Sequence, residues 1–148
     1  MNDEAAAREE LRRRAKQARG EGEFLLRELE EDDPVFRLTA ADGMAHLGPA
    51  ADTDLRLTWA TALRRRMERE SDPEVRMAAA AALVALGCPD STEAAVREAL
   101  LQGLAAPEAE VRARAAASLA WLPMAFARDS EVRSRLSQSL EDVEEDPT

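Results

Sequence analysis

Three stretches of this chain carry one pattern. Asp33 to Gly48 reads DPVFRLTAADGMAHLG, Asp72 to Gly87 reads DPEVRMAAAAALVALG, and Glu108 to Leu122 reads EAEVRARAAASLAWL. The two Asp residues can cap the free N–H groups of a first helical turn, and the Pro that follows each suits that turn. In the middle copy Val75, Ala79, Ala82, Leu83 and Leu86 fall on one helical face, and Gly87 closes it. A chain that writes one amphipathic helix three times must stack the copies, because no copy hides its apolar stripe alone. The repeat therefore sets an all-α fold.

The copies align without gaps. Phe36, Val75 and Val111 correspond, 39 and 36 residues apart, followed by Arg37, Arg76 and Arg112. Ala40, Ala79 and Ala115 come next, then Met44, Leu83 and Leu119, then Leu47, Leu86 and Leu122. The intervening segments repeat as well. Trp59, Val96 and Val132 correspond, as do Leu63, Leu100 and Leu136, then Met67, Leu104 and Leu140. Each unit is thus two helices, and a two-helix period of this length is the mark of an α-solenoid.

The line D-P-x-V-R-x-x-A-A-x-x-L-x-x-L-G, here Asp72 to Gly87, resembles the second helix of a HEAT repeat, closest to the short bacterial HEAT-like type also found in bilin lyases. The resemblance runs from about Asp33 to Leu140. It implies a stack of about three and a half helical hairpins. It also implies that Arg37, Arg76 and Arg112 bond to acids or carbonyls of the adjoining repeat. The first copy departs from the line with Asp42-Gly43 in mid-helix, where glycine costs roughly 1 kcal/mol against alanine. Either a neighbour packs closely at Gly43 or this end repeat is looser. The third copy has Pro123 where Gly is usual.

Outside the repeats, Asp3 to Arg19 reads as a polar helix, with Glu9–Arg13 and Glu10–Arg14 at ion-pair spacing. Gly20-Glu21-Gly22 is expected to break it. A short helix then carries Leu25 and Leu29 on one face. Asp90 with Glu93 has capping-box spacing before the helix of Val96, Leu100 and Leu104. The tail Glu141 to Thr148 holds five acids and no base, and is expected to be disordered. The expected organisation is a polar N-terminal helix over 1–20, a repeat domain over 21–140 and the tail over 141–148.

Composition excludes several functions. The net charge of −10 argues against a nucleic-acid binder, which needs a basic footprint, and so against a HEAT-like enzyme of the DNA-glycosylase kind. Aromatics are only 3%, with no Tyr, which leaves few strand formers. The longest apolar run, Met77 to Leu86, is too short to span a bilayer, and the N-terminus lacks the layout of a signal peptide. Elimination leaves the cytoplasm as the expected location. Cys88, the single cysteine, permits no internal disulfide and no thiolate cluster.

The resemblance to HEAT repeats implies that the second helices line the inner, concave face of the stack, and function is expected there. The positions three, six and ten after the Val position share one side off the core stripe. They are Thr39, Asp42 and His46 in the first copy, Ala78, Ala81 and Ala85 in the second, and Arg114, Ala117 and Trp121 in the third. The middle is small and smooth, which lets a helix or extended peptide approach closely. Arg and Trp are favoured anchors at interfaces, although Trp121 can equally pack under the final helix as terminal core. Asp42 lies four residues before His46, the only histidine, so the two can meet as half of an acid–base or metal site. No second histidine or nucleophile motif accompanies them.

The expected role is a non-catalytic module, a scaffold, adaptor or accessory subunit, that holds another protein or peptide without a cofactor or metal. A subunit of a larger complex or a second copy of the chain fits the same surface. The basic run Arg12, Arg13, Arg14, Lys16 and Arg19 and the acidic tail offer a second contact. The alternative is a bilin-lyase-like or other small-molecule role, implied only by the repeat type.

Overall fold

The computed structural model describes residues 3–88 and 92–120. Trp121, Pro123, the helix expected around Val132 to Leu140, the tail, and Asp90 of the expected capping box lie outside the described residues.

Among the described residues six α-helices follow one another: α1 (Asp3–Glu28), α2 (Pro34–Leu47), α3 (Thr53–Arg69), α4 (Pro73–Ala85), α5 (Glu93–Leu104) and α6 (Ala109–Leu119). They form three hairpins, α1–α2, α3–α4 and α5–α6. The second helices pack side by side, α2 on α4 and α4 on α6, far more closely than α1 packs on α3. The side where neighbours approach most closely is the inner side of the stack, and it is built from the alanine-rich copies.

The capping chemistry is the one the sequence spells. The Asp33 carboxylate accepts from Val35 N at 2.9 Å, and Asp72 accepts from Glu74 N at 3.0 Å and Val75 N at 3.1 Å. Asp52 does the same for α3, accepting from Leu55 N at 2.8 Å. At the other end of α4, Gly87 N donates to Val84 O and Cys88 N to Leu83 O, both at 2.9 Å. This is the paired closure of a Schellman motif, and it needs the left-handed backbone that Gly87 supplies at φ 83°. At α5 the N-cap is Thr92, itself buried.

The core follows the aligned registers. Ala40, Ala79 and Ala115 are fully buried, and so are Met44, Leu83 and Leu119, as well as Trp59, Leu63, Val96 and Leu100. Phe36 breaks the register, being about half exposed where Val75 and Val111 are buried. Val111 lines a cleft together with Pro73, Arg76 and Met77 of the preceding repeat. Phe36 stands in the first of the three described hairpins.

The chain differs from expectation at Gly20-Glu21-Gly22, where α1 continues unbroken. Both flanks are strong helix formers, and two glycines at roughly 1 kcal/mol each do not outweigh them. Gly22 is also where another helix approaches. A Cβ there would sit 3.1 Å from Leu55 Cδ1, and the buried Trp59 Nε1–H points at Gly22 O, 3.4 Å away. Gly43 is a site of close packing: a Cβ would meet Leu25 Cδ2 at 3.3 Å. Leu25 and Leu29 are both buried, as their shared face requires. In the first half of α1, Glu10 bonds Arg14 at 3.0 Å and also takes Arg13, so Arg13 turns to Glu10 rather than Glu9.

Candidate interaction surface

Of the Arg residues that recur in each second helix, Arg37 and Arg112 are structural. Arg37 Nη1 donates to the carbonyls of Glu31 and Asp32, both at 2.7 Å, and stitches the turn before its own helix. Arg112 does the same to Ala106 O at 2.9 Å and Pro107 O at 2.7 Å. Arg37 further forms a two-pronged pair with Glu70, Nε–Oε2 2.8 Å and Nη2–Oε1 2.9 Å. That pair ties the first repeat to the second. The Glu70 side chain is 1% exposed. Burial pushes its carboxyl up, but the Arg37 hydrogen bond, the Asp72 N–H and the charges of Arg37 and Arg66 outweigh burial and hold it below its ordinary value. No spacing in the sequence marked Glu70, because its partner lies 33 residues away.

On the inner face, the structure brings Asp42 and Arg114 together. Arg114 Nη1 lies 3.0 Å from Asp42 Oδ1, and Nη2 lies 3.3 Å from Oδ2. Arg114 Nε is also 3.6 Å from Glu74 Oε1. The pair reaches from α6 to α2 across α4. Both Asp42 oxygens are thus turned to Arg114, not to His46. His46 is exposed, and Thr39 bonds its own helix, Oγ1 to Val35 O at 2.8 Å.

The three central alanines do not share one fate. Ala78 is fully buried, so it cannot touch a partner; the expectation that it forms part of a contact surface is corrected. Ala81 and Ala85 are half-buried and Ala117 is exposed. These three line an open groove of about 460 Å³, together with Pro49, Val84 and Ser118 among the described residues. Only Ser118 brings a polar side chain, and its Oγ is already bonded to Arg114 O at 2.8 Å. The described lining is otherwise apolar and can exclude water from an apolar surface laid against it. Pro49 and Val84 are lining residues that the helical-face argument missed. Pro49 sits in the 3-10 turn Gly48–Ala50, off any helix face.

Cys88 is a free, half-buried cysteine just past the end of α4. Burial, with a smaller contribution from the Glu93 charge, raises its thiol to about 11, so the thiolate is scarce at neutral pH. Among the described residues no group of three or more His, Cys, Asp or Glu could hold a metal, and no helix is long and apolar enough to cross a membrane.

A sequence model of HEAT repeats matches residues 22–120 of the chain. No curated protein and no solved structure matches it.

Proposed function

From the premise that this chain belongs to the HEAT-repeat family, whose members generally mediate protein–protein interaction, we propose that it is a non-catalytic scaffold, adaptor or accessory subunit. It holds a helix or extended peptide of a partner protein in the groove between α4 and α6. The observation that carries this reading is the open apolar groove of about 460 Å³ walled by Ala81, Ala85 and Ala117. Small side chains let a partner backbone approach, and the apolar lining gains from losing water. The Asp42–Arg114 pair flanks the groove with polar groups, the arrangement of an apolar patch with a polar rim. Trp121, two positions after the last residue of α6 in the sequence, is proposed as an aromatic anchor for the same partner. The basic run of α1 from Arg12 to Arg19 is proposed as a secondary contact for an acidic surface.

Filling the groove tests the reading. Ala85→Arg and Ala117→Arg put long charged side chains into it while keeping good helix formers on α4 and α6. With helicity unchanged, the partner that co-purifies with the parent chain from its native host is expected to be lost. Undiminished co-purification with both variants folded would remove the groove as the binding surface.

A further inference from the structure

The step from the first repeat to the second and the step from the second to the third differ by one carboxylate. At the first step Arg37 receives Glu70, two residues before the capping Asp72 of the next second helix. The residue two before Glu108, the N-cap of α6, is Ala106. Arg76, which occupies the position of Arg37, therefore faces an alanine where its counterpart has an acid. Arg76 Nε is buried without a hydrogen-bond partner, as is the Nε of several other arginines in the chain, so what sets Arg76 apart lies at its terminal nitrogens. Among the described residues the guanidinium has none of the carbonyl bonds that Arg37 and Arg112 make, and no ion pair.

A cleft of about 120 Å³ opens there, lined by Arg76, Glu70, Ser71, Gln102, Gly103 and Ala106 among others. It is well below the ~300 Å³ of the smallest ordinary small-molecule pocket. It suits a carboxylate and its methylene stem. The one acid among the described lining residues, Glu70, is held by Arg37 and lies 3.6 Å from Arg66, so its charge is compensated. Gln102 is exposed and bonds only its neighbour Glu98 at 3.3 Å, which leaves its amide able to donate as well.

We propose that this notch, at the turn edge between the second and third repeats, is a binding site for an acidic side chain of a partner polypeptide. The carboxylate meets Arg76 at its two terminal Nη nitrogens, because Nε is buried, in the two-pronged geometry that arginine favours. The site lies apart from the groove of Ala81, Ala85 and Ala117 and does not depend on it.

The test uses the full chain with its arginine side chains isotopically labelled, and the capped peptide acetyl-Gly-Glu-Gly-amide as probe. The Arg76 Nε–H resonance is expected to shift saturably with this peptide and not with acetyl-Gly-Gln-Gly-amide. Ala106→Glu supplies the missing carboxylate from within. It is expected to raise the melting temperature and to weaken the probe by about tenfold or more, the scale of a lost charge-assisted contact. Arg76→Gln should weaken the probe similarly while far-UV circular dichroism stays unchanged. An Arg76 resonance indifferent to the glutamyl peptide overturns the proposal. Acetate binding as tightly as the peptide overturns the assignment to a polypeptide partner. A destabilised, still-binding Ala106→Glu variant overturns the analogy with Glu70.

Discussion

Arg114 on α6 grips Asp42 on α2 with both terminal nitrogens, at 3.0 and 3.3 Å, across the whole width of α4. Two residues 72 positions apart thus join the first and third repeats directly. The helix they cross carries Ala78 in the register of Arg114 and Ala81 in the register of Asp42. The two side chains remain 29% and 47% exposed, so water and salt screen them. A double-mutant cycle with Asp42→Asn and Arg114→Gln should return a coupling of about 0.5–1 kcal/mol that shrinks in high salt. A coupling well above that, insensitive to salt, would show a pair more deeply desolvated than its exposure allows.

Glu70 is expected to behave very differently from Asp42, because its side chain is buried. Removing one member of a buried pair leaves the other charge without a partner, so Glu70→Gln should cost about 3 kcal/mol in a denaturant titration. The pH dependence follows from the same site. The folded carboxyl sits below its ordinary value of 4.5, so its stabilisation is complete above that value and is lost as pH falls through the lower folded one. The parent chain should lose melting temperature steadily below pH 4.5, and Glu70→Gln should show a flatter acid limb.

The glycines of this chain separate into two kinds, and alanine substitution distinguishes them. Gly20 has nothing within 4 Å of where a Cβ would sit. Gly20→Ala should therefore stabilise the chain by up to about 1 kcal/mol through helix propensity alone. At Gly103 a Cβ would lie 2.3 Å from Met77 Sδ and 3.0 Å from Ala115 Cβ. There the overpacking cost, about 1–3 kcal/mol, should cancel or exceed the propensity gain. Calorimetry on the two single variants checks the opposite signs.

Cys88 should react sluggishly. With its thiol raised to about 11, iodoacetamide at pH 8 should modify the folded chain much more slowly than the same chain in denaturant. The folded-state rate should still be climbing at pH 10. Equal rates folded and unfolded at pH 8 would show an exposed, ordinary thiol.

The stacked hairpins were legible in the sequence because apolar spacing, capping acids and closing glycines are local signals, and they recur in register. The closeness of Leu25 to Gly43 was half legible: a glycine in mid-helix announces either a close neighbour or a weak end, and only the packed chain decides. The continuity of α1 through Gly20 and Gly22 was not legible, because a local breaker signal competes with tertiary contact. Trp59 and Leu55 lie more than thirty residues downstream of the glycine they cover. The inner-face rows placed Asp42 and Arg114 on one side, as helical geometry demands. Their meeting depends on how tightly α2, α4 and α6 close together, which no single helix encodes. Ala78 sank into the core while Ala81 and Ala85 stayed accessible for the same reason. Glu70 escaped notice because its role belongs to a contact between repeats, and its counterpart in the next step is Ala106.

The groove's role as a docking surface is tested most directly by placing a photo-crosslinking amino acid at Ala117 and, separately, at Thr61 on the exposed side of α3, then irradiating the chain together with its co-purified partner. The account predicts an adduct with one defined partner segment from position 117 and none from position 61. Adducts from position 61 alone would contradict it and move the binding surface to the outer helices.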